Sequence, residues 1–203
     1  AGGRDEPYPF NVPVLGNNRR LAAHVGDAGT LPQAIRAIQD QASPFVYVVR
    51  VPEGATLDET MNAVIGGLDP ATGQLAGIAA LQETRSEMKS RILIAPGFTH
   101  QRPIDPDDDT RQLANPVVAE LLGIAERLRA VIIADGPNTT DAAAIDYRED
   151  WGSPRIYVVD PHVKVMKSGA VVTEPVSARV AGLIAKIDND RGFWWSPSNK
   201  EIK

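Results

Sequence analysis

Apolar residues along this chain fall into two rhythms. Short β-branched runs alternate with stretches in which apolar positions recur every three or four residues, the periods of strand and helix. Residues 11–16 (NVPVLG) read as a strand that Pro13 confines to an edge or a strand start. A helix then follows Thr30 as N-cap, tolerates Pro32 in its first turn and carries Leu31, Ala34, Ile35 and Ile38 on one face. Residues 44–51 (PFVYVVRV) read as a strand buried on both faces. Thr56 and Glu59 make a capping-box pair for a helix with Leu57, Met61, Val64 and Ile65, stopped by Gly66 and Gly67.

The alternation continues with a turn at 70–74, a helix over 75–89 and a strand at 91–97. A polar loop leads to a helix over 116–129, with Val117, Leu121, Ile124, Ala125 and Leu128 in phase. A strand at 130–135, a capped helix in TTDAAAIDYRED and a strand at 155–161 come next. Residues 163–175 read as a β-hairpin turning at Ser168 and Gly169, and Pro175 opens an amphipathic helix through Val180, Leu183, Ile184 and Ile187. Strand and helix in alternation predict an α/β fold, doubly wound, with a mostly parallel sheet and helices on both faces. Strands near 45–51, 92–95, 131–135 and 156–159 are expected side by side in it. The expected organisation is a flexible leader (1–10), an α/β domain (11–192) and a closing segment (193–203).

Composition narrows the class. The 203 residues are 43% hydrophobic and 23% charged, as in chains that bury a core without staples. A net charge of −5 argues against a broad nucleic-acid or acidic-membrane footprint. With no cysteine there is no disulfide, thiol catalysis or cysteine-rich zinc site. No apolar run is long enough to span a bilayer, and a soluble chain without an export address is expected.

Ligand sites of open parallel sheets lie at the carboxyl ends of the strands. Here those ends read APGFTH, ADGPNTTD and VVDPH, so Asp135, His100, Asp160 and His162 are candidates for one acid/base or metal edge, with Thr139 and Thr140 beside them. The same residue types are what turns and helix caps require, and capping by Thr139 or Thr140 accounts for PNTTD without chemistry. Asp105, Asp107 and Asp109 alternate like a calcium loop, but the sixth and twelfth places hold Thr110 and Pro116 instead of Gly and Glu. An acidic solvated loop is the better reading. The stretch 16–20 (GNNRR) could offer amides and guanidiniums to a phosphate, yet no GxxxxGK[ST], GxGxxG or GxSxG follows a strand. Arg20 and His24 read as surface residues. No catalytic, cofactor or metal residue is assigned, and no cofactor is expected.

The runs DGPNTTDAAAIDYREDWGSPRIYVVDPHVKV and TEPVSARVAGLIAKIDNDRGFWWSPSNKEIK resemble tail sheath proteins of contractile bacteriophage tails and related bacteriocin particles. RILIAPGFTH, NVPVLG and QASPFVYVVRVPEG agree in order and spacing. The resemblance implies a subtilisin-like α/β domain without a protease site. Ser153, Ser168, Ser177 and Ser196 all lie outside the context of a subtilisin nucleophile.

It further implies a virion protein, assembled in the bacterial host cytoplasm. Its subunits polymerise around a tail tube, contact the baseplate, and contract to drive the tube through a host envelope. Family members extend beyond both ends of this sequence, so a fragment is expected, monomeric by itself and binding neither nucleic acid nor membrane. Phe193, Trp194 and Trp195 are then expected to form the last packed turn of the domain, with 197–203 loose. The alternative is an α/β hydrolase or nucleotide-binding enzyme using Asp135, His100 and Asp160.

Overall fold

The computed structural model describes residues 8–17, 25–84, 88–167 and 169–203. Arg20, His24, Ser168 and most of the 1–10 leader lie outside the described residues. The chain is a mixed α/β fold whose centre is a three-stranded parallel sheet, in the order β5 (Ile92–Leu93), β8 (Val131–Asp135), β9 (Ile156–Val159). Ile92 pairs with Val131, and Ile132 with Ile156.

Alternation along β8 divides the core. Ile132 and Ala134 pack with α3 (Pro116–Leu128), α2 (Leu57–Ile65), and Tyr147 of α4 (Asp141–Glu149). Ile133 points the other way, into Val176 and into Val180 and Ile184 of α5 (Ser177–Arg191). Alanines of α1 (Leu31–Gln41) meet Ala178 of α5 beside it. Helices therefore cover both faces of these three strands, and Ile133 is buried.

Parallel pairing stops at those three strands. Residues 45–51 were expected in the same sheet, but β2 (Phe45–Val48) pairs antiparallel with β1 (Val14–Asn17), and Phe45 is exposed. The other ladders among the described residues are also two-stranded and antiparallel: β3 (Gly67–Leu68) with β4 (Leu75–Ala76), β6 (Ile104–Asp105) with β7 (Asp108–Gln112), and β10 (Val163–Lys167) with β11 (Ala170–Glu174). The last is the anticipated hairpin, with Gly169 at φ 83°. A sheet that is mostly parallel is thus corrected to small sheets that are mostly antiparallel.

Local chemistry explains which ends match. Thr56 accepts from Glu59 N at 3.2 Å, while the Glu59 carboxylate takes Ala55 N instead of closing the box on Thr56. Thr140 caps α4 through Ala143 N, and Asn115 caps α3 through Val118 N. Thr30 precedes α1 without a side-chain capping bond, and Leu57 is exposed. The helix expected over 75–89 is replaced by β4 and a 3-10 helix, Gly77–Glu83. Gly77 sits at φ 59°, its N–H held by Asn11 Oδ1, and a Cβ there would lie 2.4 Å from Val64 O. That left-handed residue breaks the helical path.

Candidate functional site

The carboxyl ends of β5, β8 and β9 do converge, and hydrogen bonds define what each residue does there. Asp135, the last residue of β8, is fully buried. One of its carboxylate oxygens accepts from Ser177 N at 2.8 Å and the other from Ser177 Oγ at 2.6 Å. Ser177 opens α5, so Asp135 caps that helix from across the sheet and places negative charge at the positive end of its dipole. The Asp135 N–H in turn donates to Thr99 Oγ1 at 2.9 Å.

The loop after β5 is clamped from three sides. Tyr147 of α4 donates its hydroxyl to Thr99 O, and Asn115 donates to Phe98 O and Gln101 O. Burial, first of all, raises the Tyr147 pKa, which keeps the hydroxyl protonated as that donor. His100 rides on this loop, its ring meeting His162 edge-on with centroids 5.4 Å apart. Burial lowers the His100 pKa, the neighbouring His162 lowers it further, and Asp135 acts in the opposite direction.

Asp160 turns away from that pair. Its carboxylate accepts from Asn138 N at 2.7 Å, and Asn138 Oδ1 accepts from His162 N at 3.0 Å. Gly136 makes room for this, since a Cβ there would lie 2.7 Å from Asp160 Oδ1. Thr140 is the helix cap and Thr139 is exposed. The structure therefore brings His100, His162 and Asp135 to one edge. Asp135 is occupied by Ser177 and Asp160 by the Asn138 turn.

Among the described residues no group of three or more His, Cys, Asp or Glu could hold a metal ion. The acidic stretch at 105–109 is the β6–β7 turn, where Asp105 accepts from Asp107 N and Asp108 from Thr110 N. Sequence reasoning missed Thr99, Asn115 and Ser177. For Ser177 a signal existed: a serine two residues after Pro175 and ahead of an apolar run is a helix-start pattern.

Two surfaces stand out. Met166 and Val171, directly opposite each other in the β10–β11 register, are exposed on one face of the hairpin. Phe193, Trp194 and Trp195 follow α5 and are 82%, 72% and 50% exposed, which corrects the expected packed turn. Gly192 at φ 98° carries the chain off the helix axis, Phe193 and Trp194 meet edge-on, and the Arg191 guanidinium lies over the Trp195 ring. Residues 197–203 are not free either, because Lys203 is hydrogen-bonded to Gln41. Among the described residues no helix is long and apolar enough to cross a membrane.

Comparison with known proteins connects these features. The phage tail sheath protein central domain model matches residues 78–203. A prophage protein of Pseudomonas aeruginosa named for the major tail sheath is 39% identical over 198 residues, covering 95% of this chain and 48% of its own. The tail sheath protein of Escherichia phage P2 is 31% identical, covering 96% of this chain and 48% of its own. The chain thus spans about half the length of the curated relatives it matches. In structure it is similar to the contracted helical sheath of the anti-feeding prophage, with a TM-score of 0.57 at 20% identity, over 96% of this chain and 46% of that one.

Proposed function

The chain belongs to the phage tail sheath protein family, and from that premise we propose that it is the α/β body of a structural sheath subunit. The family match over 78–203 carries this reading. In it, the whole protein polymerises helically around a tail tube and contacts baseplate proteins. On triggering it contracts and drives the tube through a host envelope. The subunit is a virion component assembled in the bacterial cytoplasm, without nucleic-acid or membrane contacts. It is not an enzyme and holds no cofactor.

The β5–β8–β9 sheet is read as the heart of a doubly wound, subtilisin-like body spanning 11–192, with 193–203 leading into a C-terminal domain. By itself this body is monomeric. Contraction by sliding subunits needs surface contacts with two discrete arrangements and an interior that does not yield. The edge where an α/β enzyme would hold a ligand supports such an interior, because its polar groups bond one another and cap helices. The hydrolase or nucleotide-binding alternative through Asp135, His100 and Asp160 has no observation in its favour.

Electron microscopy of the full-length protein expressed alone tests the proposal. Hollow helical tubes are expected. A full-length protein that stays monomeric at high concentration and binds a nucleotide stoichiometrically would overturn it.

A further inference from the structure

The sheet edge holds one contact that its hydrogen bonds do not explain. His100 lies on the loop after β5 and His162 on the link between β9 and β10. Their rings meet nearly at right angles, with centroids 5.4 Å apart, and both residues are half-buried. Each ring keeps one nitrogen out of water and without a hydrogen-bond partner among the described residues, Nδ1 of His100 and Nε2 of His162. An uncharged imidazole tolerates such a nitrogen far better than an imidazolium, whose two nitrogens both donate and whose charge needs a partner. A second charged ring at this separation adds like-charge repulsion.

The groups that face the pair offer little relief. Asp135 of β8 draws a proton toward His100, but its two carboxylate oxygens are taken by Ser177. Asp160, just past β9, accepts from Asn138 N, and Tyr147 of α4 donates its hydroxyl to Thr99 O. Burial above all, and then His162, lower the His100 pKa against the pull of Asp135. The two sides of the contact are unequally anchored. Asn115, Tyr147 and the buried Thr99 fix the loop that carries His100. The bond that holds His162, from its N–H to Asn138 Oδ1 at 3.0 Å, lies at the surface. Val163 opens β10 directly after it, so a change at His162 reaches the hairpin that exposes Met166 and Val171.

We propose that His100 and His162 form a proton-released clasp. Uncharged, the two rings pack together and hold the β9–β10 link against the loop after β5. Charging the pair separates them, and the less anchored side yields. The start of the β10–β11 hairpin is then freed while the β5–β8–β9 edge stays closed. The clasp belongs to this body and does not depend on the sheath role.

The test is a pH titration of the ¹⁵N- and ¹³C-labelled chain by NMR, from roughly pH 8 to pH 4, which brackets the ordinary histidine range. Ring shifts read the protonation of each histidine, and amide shifts with ¹⁵N relaxation read the backbone. In the parent, the His162 and Val163 amides are expected to shift and gain mobility as the His100 ring titrates, while those of Thr99 and Asp135 hold. His162→Asn should raise the His100 midpoint by at least about half a pH unit, because the like charge is gone. His100→Gln should abolish the acid response at His162 and Val163. Amides of His162 and Val163 that stay put throughout the parent titration would overturn the proposal, whether or not either variant folds. So would all four amides moving together, which is global unfolding. A His100 midpoint left in place by His162→Asn, or an acid response that survives His100→Gln, would overturn it as well.

Discussion

Asp135→Ala is the perturbation that separates a structural carboxylate from a chemical one. The substitution removes the acceptor of Ser177 N at 2.8 Å and of Ser177 Oγ at 2.6 Å, and leaves both donors buried at the start of α5. A hydrogen bond to a charged group contributes about 1.5–3 kcal/mol, and leaving its partner unpaired in the interior is the costlier outcome. Loss of negative charge at the helix N-terminus adds roughly 0.5–2 kcal/mol. These effects overlap because one residue makes them all, so the expected loss is about 3–5 kcal/mol. Against a total stability of about 5–15 kcal/mol, that is the difference between a folded chain and a marginal one. Asp135→Asn keeps an acceptor for the backbone N–H and lets the Ser177 hydroxyl rotate to accept, so about 1–2 kcal/mol is expected. Urea denaturation followed by far-UV circular dichroism reads both, provided the slope of the transition stays constant. An Asp135→Ala loss below about 1 kcal/mol would refute the capping assignment, since no buried pair of unsatisfied donors is that inexpensive.

The remaining predictions use other parts of the structure. The folded state holds the His100 pKa below its ordinary value, chiefly by burial and then through His162, so the unfolded chain takes up the proton first. Stability present above about pH 6.5 should therefore fall as pH drops through the folded pKa, and His100→Gln should flatten that acid limb of a urea-midpoint profile. Gly77→Ala places a Cβ 2.4 Å from Val64 O at φ 59°, and its thermal midpoint should fall by more than the roughly 2–4 °C that 1 kcal/mol shifts in a domain of this size. Iodide should quench two of the three tryptophans, Trp194 and Trp195, and leave the buried Trp151 protected. Quenching of all three to the same extent would contradict the described packing.

What could be read from the sequence was what local periodicity controls. The strands at 92–93, 131–135 and 156–159, the hairpin over 163–174 and the five α-helices among the described residues lie where apolar rhythm put them. Partner choice was not legible. Phe45, Val46, Tyr47 and Val48 have the composition of a strand buried on both faces, yet β1 takes them as an antiparallel pair and leaves Phe45 outside. Hydrophobicity alone does not record which edge a strand joins. The stretch 75–89 was expected to be helical, but the Asn11 contact that holds Gly77 N–H comes from a residue far away in the chain, and Gly77 sits at positive φ. At the strand ends, the chain placed Asp135, His100 and His162 correctly at one edge. It did not announce that Ser177, forty-two positions away, would occupy Asp135.

That occupation bears on how such a body can serve a moving assembly. At this edge Asp135 binds α5, Thr99 binds β8 and α4, and Asn115 binds the loop to α3, so four elements converge on fully buried side chains. Displacing Asp135 and Asn115 from these bonds would break the caps of two helices, α5 and α3, at about 1 kcal/mol or more each. Under the proposed function the same network becomes an advantage, because force passed between subunits should displace the body as a unit instead of opening it. The places with freedom to rearrange are then peripheral: the exposed hairpin and the aromatic residues that follow α5. Changes at Met166, Val171, Phe193 or Trp194 should accordingly leave the urea midpoint of the isolated chain nearly unchanged while altering assembly of the full-length protein. A large loss of stability from Trp194→Ala in the isolated chain would place that ring inside the fold and remove it from any candidate contact surface.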